Sequence, residues 1–223
     1  HNLRPTKEAK PMTHCVLLGD SIFDNAVYVP PGQDVTTHLQ QMLAGRDATA
    51  RVTLLAVDGA IAEEVAAQVK HVPTDATHLF LSVGGNDLLR KFDLLNARAG
   101  TVADALLKLG TVMDGITRRY LQAVDACRAT GVPLCLCAVY GCSFPDARTQ
   151  ACADLIVGLF HDRIRQIAQE HHLPVIDLRR ICWRETDFVQ SIEPSATGGW
   201  RIAAALAEFV GTAHAGHIPD EHP

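Results

Sequence analysis

The sequence predicts an α/β domain built on an open, doubly wound parallel sheet of about five strands. Five short apolar runs alternate with longer segments whose apolar residues recur at helical spacing. Strands that alternate with helices pair in parallel through right-handed crossovers, with helices on both faces of the sheet. No linker-like change of composition divides the 223 residues, so we expect one domain.

The predicted elements follow one another in a regular order. The first strand, 15–18, is apolar throughout, as expected for a strand buried on both faces. Four more strands are predicted at 51–57, 78–83, 134–140 and 173–178, and five helices at 34–43, 61–70, 101–130, 150–171 and 199–210. Gly110 and Gly115 are possible bends in the third helix. The segment after the third strand is expected to be a loop.

Composition excludes several classes of function. The net charge is −5 and no block of Lys or Arg is present, so nucleic acid is not an expected partner. No apolar run reaches the roughly 20 residues that span a bilayer. The cysteines number seven and lie mostly in apolar segments, which favours a reducing, cytoplasmic location and free thiols rather than a metal site. Oligomeric state is not indicated.

The first eleven residues differ from the rest of the chain. They are polar, begin without Met and lack the apolar core of a signal peptide. We therefore expect residues 1–11 to be an added leader, with Met12 as the natural start and one domain over 12–223.

A candidate nucleophile follows the first strand. Gly19 permits a sharp bend, and Asp20 and Ser21 favour a turn, so the Ser21 hydroxyl is placed at the carboxyl end of a buried strand. Ligands bind at that edge of doubly wound sheets. An alternative is that Ser21 is an ordinary helix N-cap.

Two further turns are expected at the same edge of the sheet. Residues 58–60 follow the second strand and include Gly59, while the sequence Gly-Gly-Asn-Asp at 84–87 follows the third. The N–H groups of Ser21 and Gly59, with the side-chain amide of Asn86, could hold a developing oxyanion. The sequence therefore predicts an acyl-transfer site.

These segments resemble the SGNH, or GDSL-type, hydrolase family. Gly19-Asp20-Ser21 matches its first block, Gly59 its second, and the Gly-Gly-Asn-Asp turn its third, while 192–203 is similar to the fourth. The resemblance implies a three-layer α/β/α sandwich with a flavodoxin-like sheet, and esterase or lipase-like activity. It also implies Ser21 as nucleophile, with Ser21, Gly59 and Asn86 as the oxyanion hole.

The fourth block departs from the family pattern. Glu193 stands where the family has its catalytic His, and Gln190 stands where it has the orienting Asp. Burial raises the pKa of a carboxyl group, so Glu193 could act as the general base. Alternatively, Glu193 caps the last helix or pairs with Arg201, or another carboxylate is the base. Candidate bases or supporting residues are Asp20, Asp24, Asp87 and Asp187.

The expected function is therefore a serine esterase that cleaves small or short-chain acyl esters through an acyl-Ser21 intermediate, without metal or other cofactor. Its partner would be a small-molecule ester. A second hypothesis is a degenerate protein that binds an acyl or carbohydrate ligand without turnover, since the usual His and Asp are missing. A nucleotide-binding domain is disfavoured because no Gly-x-Gly-x-x-Gly follows a strand.

Overall fold

The computed structural model describes residues 12–214 and contains a five-stranded parallel sheet. The strands are β1 (His14–Gly19), β2 (Arg51–Leu54), β3 (His78–Ser82), β4 (Leu134–Ala138) and β5 (Val175–Asp177). Their order across the sheet is β2-β1-β3-β4-β5, so β1 and β3 are central and fully buried. The predicted parallel α/β fold is confirmed. The proposed leader lies outside the described residues, and its origin stays a prediction.

Six α-helices cover the two faces of the sheet. They are α1 (Val35–Ala44), α2 (Val65–Val69), α3 (Gly85–Leu89), α4 (Val102–Arg128), α5 (Ala147–Glu170) and α6 (Ala196–His214). On one face α1 packs against α6, and the ring of Phe209 meets Phe80 of β3 edge-on. On the other face α4 packs against α2 and α5, where the ring of Tyr120 meets that of Phe160 edge-on. Aliphatic and aromatic side chains from both faces form one core.

Aspartate side chains cap the N-termini of two helices. The carboxylate of Asp34 accepts from the Thr37 N–H, and the carboxylate of Asp146 accepts from the Thr149 N–H. Such caps satisfy donors that the first helical turn leaves unpaired. With Asp146 as its N-cap, α5 begins at Ala147, three residues before the predicted position. The helix α4 runs through Gly110 and Gly115 without interruption, so the possible bends are not observed.

Two elements contradict the expected loops. Residues 85–89 form the short helix α3, although a loop was predicted after β3. Before α6, the chain forms an antiparallel hairpin of β6 (Phe188–Val189) and β7 (Glu193–Pro194), which the sequence did not predict. We call residues 188–194 the C-terminal hairpin. The last helix also begins at Ala196 rather than at 199.

No helix in residues 12–214 is both long and apolar enough to cross a membrane. All seven cysteines lie in this part of the chain as free thiols. Within the same residues, no group of three or more His, Cys, Asp or Glu side chains could hold a metal ion. The cytoplasmic location stays a prediction.

Candidate active site

The end of β1 is shaped by Gly19. Its φ of +124° lies in a region that L side chains rarely adopt, and a Cβ there would overlap the carbonyl oxygen of Ser82. The buried side chain of Gln68 pairs with the Gly19 backbone: the Gly19 N–H donates to Oε1 at 2.8 Å, and Nε2 donates to the Gly19 carbonyl at 2.8 Å. The chain therefore leaves the sheet in one fixed direction.

The turn after Gly19 carries Ser21 at the edge of a cavity. The carbonyl oxygen of Asp20 accepts from the N–H groups of Phe23 and Asp24, each at 3.1 Å. The Ser21 N–H has no acceptor among the described residues. No helix starts at this turn, because the next helical turn, Ala26–Tyr28, begins after Asn25. The alternative that Ser21 caps a helix is therefore wrong.

The structure brings the other two predicted turns to the Ser21 turn. Nδ2 of Asn86 donates to the carbonyl of Ala60 at 3.0 Å, and Asn86 lines the same cavity as Ser21. The Asp58 N–H donates to Oδ2 of Asp24 at 2.9 Å, which ties the Gly59 turn to the Ser21 turn. Gly59 has a φ of +78°, and its N–H has no acceptor within the described part of the chain.

Asp87 and Asp24 hold these turns in place. Oδ2 of Asp87 accepts from the Ala62 N–H at 2.9 Å, and Oδ1 lies 3.3 Å from Nε of Arg119. Asp87 is buried, so this network fixes the start of α3 against the Gly59 turn. Neither Asp24 nor Asp87 lines the cavity. Their contacts are those of positioning residues.

Glu193 lies opposite Ser21 on the C-terminal hairpin. Ser21 and the Glu193 carboxyl group line the same cavity, and Glu193 is only 7% exposed. Burial is the main reason that the pKa of Glu193 is raised above its usual value, the interaction with the Ser21 hydroxyl opposes this effect, and the negative charge of Asp58 adds to it. Oε2 of Glu193 has no hydrogen-bond partner within residues 12–214. The carboxylate thus has a free acceptor beside the hydroxyl.

Asp20 is a second buried carboxyl group in the cavity wall. It is 2% exposed, and burial is the main reason that its pKa is raised to about 8. Nearby negative charges, first that of Glu193, add to this effect, while a hydrogen bond from the Ile22 N–H to Oδ1 at 3.1 Å opposes it. The raised pKa favours the protonated, neutral form of Asp20.

Other residues take the structural roles that the sequence left open for Glu193. Arg201 pairs with Asp187, whose Oδ1 lies 3.3 Å from Nε, and the Ser195 hydroxyl caps α6 by accepting from the Gly198 N–H at 3.1 Å. Oδ2 of Asp187 accepts from the N–H groups of residues 183 and 184. Asp187 does not line the cavity, and Gln190 is exposed in the hairpin turn with a φ of +50°. The geometry favours Glu193 over Asp187 as a base.

Three hydrogen bonds hold the C-terminal hairpin against the site. Nδ2 of Asn25 donates to the carbonyl of Pro194 at 3.1 Å, and the Tyr140 hydroxyl donates to that of Ile192 at 2.6 Å. The Ser143 N–H donates to the carbonyl of Ser191 at 2.7 Å. Sequence reasoning assigned no role to these donors or to Gln68. Asn25 stands four residues after Ser21, which is the only sequence signal for its role.

We expect Asn25→Ala to weaken both folding and catalysis. The side chain is fully buried, and its Oδ1 also accepts from the Val35 N–H at 2.9 Å, so the change leaves two buried backbone groups unpaired. A loss of about 1–3 kcal/mol in the free energy of unfolding follows, measured by urea denaturation. The exposed Asn96 provides the control, for which Asn96→Ala should change stability by less than about 0.5 kcal/mol. Equal effects of the two changes would contradict the anchoring role.

The cavity beside Ser21 has a volume of about 630 Å³, including the part open to solvent. Asp20, Ser21, Asn86 and Glu193 are on its wall, together with many apolar side chains. No histidine within residues 12–214 lines it. A hydroxyl, a carboxyl group and a side-chain amide therefore line one concave site, an arrangement that is suited to acyl transfer.

Comparison with known structures places this fold among lipases and esterases. The chain is 16% identical to an extracellular lipase from Streptomyces rimosus, with a TM-score of 0.64 over 88% of this chain and 99% of that chain. It is 16% identical to phospholipase A1 from Streptomyces albidoflavus NA297, with a TM-score of 0.62 and the same coverage. For the psychrotrophic esterase EstA from Pseudoalteromonas, the identity is 14%, the TM-score is 0.63, and 91% and 99% of the two chains are covered.

At these identities the structural likeness shows the fold alone. No curated protein sequence matches the chain. The model of the GDSL-like lipase/acylhydrolase family matches residues 17–200, which include Ser21, Asn86 and Glu193. This match spans most of the chain and agrees with the order of the three turns at the sheet edge. The protein therefore belongs to the GDSL-like lipase/acylhydrolase family.

Proposed function

We propose that the protein is a serine hydrolase of small carboxylic esters in which Glu193 replaces histidine as the general base. The observation that carries this proposal is that Ser21 and the buried Glu193 carboxyl group lie on the wall of one cavity, where the Ser21 hydroxyl favours the ionised carboxylate. Both groups line a cavity that also contains the Asn86 amide. Membership of the GDSL-like family supports ester hydrolysis as the reaction class.

In the first half of the reaction, Oγ of Ser21 attacks the ester carbonyl carbon while its proton passes to Glu193. The carbonyl oxygen becomes an oxyanion, held by the N–H groups of Ser21 and Gly59 and by the Asn86 side chain. As the carbonyl re-forms, the bond to the alcohol oxygen breaks and that oxygen takes the proton from Glu193. The acyl group is then bonded to Ser21.

In the second half, Glu193 takes a proton from a water molecule that attacks the acyl-Ser21 carbonyl carbon. A second oxyanion forms in the same position, and its collapse returns the proton to Oγ of Ser21 and releases the carboxylic acid. A carboxylate has no tautomers, so no third residue is needed to orient it. This accounts for catalysis with Gln190 at the position of the family's Asp.

The strength of the base is the main energetic difficulty of this mechanism. An ordinary Glu has a pKa about 2 units below that of His, which corresponds to about 3 kcal/mol in accepting the serine proton. Burial raises the pKa of Glu193 and reduces this deficit. The neutral state of Asp20 helps, because it avoids a second negative charge close to the reacting groups.

A second candidate function is binding of an acyl or carbohydrate ligand without turnover. The observation that favours it is the absence of histidine from the cavity wall within the described residues. An activated phosphonate ester separates the two functions, because it phosphonylates only an activated serine. We expect mass spectrometry to find one phosphonyl group on Ser21, together with hydrolysis of p-nitrophenyl butyrate above the buffer rate. If neither occurs, the protein is a binding protein.

The pH dependence of kcat/KM should report the ionisation of Glu193. Only the ionised carboxylate can accept the Ser21 proton, so kcat/KM falls as pH drops through the pKa of Glu193. Because burial raises that pKa, the loss should begin above the usual value of 4.5. A profile measured with p-nitrophenyl butyrate checks this. A rate that stays constant down to pH 4.5 would contradict the role of Glu193 as base.

A further inference from the structure

The wall of the cavity beside Ser21 is sharply divided in polarity. The ionisable groups, Asp20 and Glu193, line the cavity together with Ser21 and Asn86. Most of the remaining wall is apolar and comes from three segments: α3 with the turn after it, the loop after β4, and the first half of α5. We call this part the acyl chamber and define it by Leu89, Phe92, Phe144, Ala153, Ile156 and Val157.

The chamber has walls that favour a hydrocarbon ligand. The rings of Phe92 and Phe144 contact each other, with centroids 5.8 Å apart. No Lys or Arg within residues 12–214 lines the cavity, so no cation is available there to bind a phosphate or carboxylate group. Small-molecule sites are typically concave and lined mainly by apolar side chains, as this cavity is.

An acetyl group would contact only a small part of the apolar wall of the chamber. Its single methyl group can cover little of a wall to which six apolar side chains contribute. Each further methylene that is buried gains about fourfold in kcat/KM, if its contact with the wall is kept in the transition state. The chamber therefore favours esters with longer acyl chains, in contrast to the short-chain esters expected from the sequence.

We propose that the acyl chamber selects unbranched acyl groups longer than butyryl, and that Ala153 limits the length accepted. This inference rests on the proposed function of Ser21. Ala153 is 2% exposed and belongs to α5, one helical turn before Ile156 and Val157. Its methyl side chain is the smallest on the α5 wall. A larger side chain at this position fills space that the end of the acyl chain would occupy.

The first test is the chain-length profile of the unmodified protein. We expect kcat/KM to rise from p-nitrophenyl acetate through butyrate and hexanoate, and to be about tenfold or more higher for the octanoate than for the acetate. Activities are measured below the micelle concentration of each ester. A profile that is highest for the acetate would overturn the proposal while leaving the serine hydrolase intact.

The second test replaces Ala153 by leucine. Ala153→Leu should lower the ratio of kcat/KM for octanoate to that for acetate by about tenfold or more, because the added carbons shorten the chamber. Ala151→Leu is the matched control, since Ala151 is exposed on the same helix and does not line the cavity. Thermal unfolding of both variants shows whether they are folded. An unchanged ratio in a folded Ala153→Leu protein would overturn the assignment of Ala153.

Ligand binding distinguishes failure of the chamber from failure of catalysis. Octanamide is a neutral analogue that avoids repulsion between a free carboxylate and Glu193. We expect Ser21→Ala to bind octanamide at least about tenfold more tightly than acetamide in titration calorimetry. If no ester of any length is hydrolysed but octanamide still binds more tightly than acetamide, the proposed hydrolase function is wrong and the acyl-binding role of the chamber is supported. Equal affinities for octanamide and acetamide would contradict the acyl-binding role of the chamber.

Discussion

Ser21→Ala should abolish ester hydrolysis, with a loss in kcat/KM on the order of 10⁴-fold or more. The change removes the only atom that forms the acyl-enzyme bond, and the remaining oxyanion donors give little acceleration without it. The measurement is hydrolysis of p-nitrophenyl hexanoate over a range of concentrations. The variant should remain folded, because the Ser21 side chain contributes only its hydroxyl beside an open cavity.

Ser82→Ala is the matched control for this change. The Ser82 hydroxyl is fully buried at the end of β3 and has no hydrogen-bond partner among the described residues. Removal of an unpaired buried hydroxyl is close to neutral or stabilising, so Ser82→Ala should keep the parent activity. If the unmodified protein hydrolyses the ester no faster than Ser21→Ala does, the hydrolase function is excluded and ligand binding without turnover is favoured.

Glu193→Gln should lower kcat by about 10²–10⁴-fold while KM changes little. Glutamine has nearly the same shape and can still hydrogen-bond to the Ser21 hydroxyl, but it cannot accept a proton at neutral pH. The loss therefore appears in the chemical step rather than in substrate binding. The same variant should react more slowly with the phosphonate ester, because that reaction uses the same activated hydroxyl.

The control for this change is Glu185→Gln, which makes the same chemical change at an exposed position shortly before the C-terminal hairpin. Its kcat and KM should match those of the parent. If Ser21 is required but Glu193→Gln is harmless, the serine hydrolase remains and the base must be sought elsewhere.

The sheet could be predicted because its signals are local in sequence. Apolar runs such as Cys15–Leu18 end at glycine, and the helices between them have one apolar face. The helix α3 was missed because Gly85, Asn86 and Asp87 all have low helix propensity. Its helical form depends on tertiary contacts, above all the hydrogen bond from the Ala62 N–H to Asp87.

The site could be predicted only in part. Ser21, Gly59 and Asn86 follow successive strands, so the topology alone brings them to one edge of the sheet. The C-terminal hairpin was missed because its strands have two residues each and its turn uses positive φ at Gln190 and Ser191, where glycine is usual. The acyl chamber was missed because its wall combines residues far apart in sequence.

The way in which the C-terminal hairpin is anchored affects which side chains position 193 can carry. All three anchoring hydrogen bonds end on main-chain carbonyls, those of Ser191, Ile192 and Pro194, and every amino acid supplies such a carbonyl. The hairpin is a separate two-stranded sheet and pairs with no strand of the five-stranded sheet. Under the proposed function, position 193 can therefore carry a different proton acceptor without loss of these three hydrogen bonds.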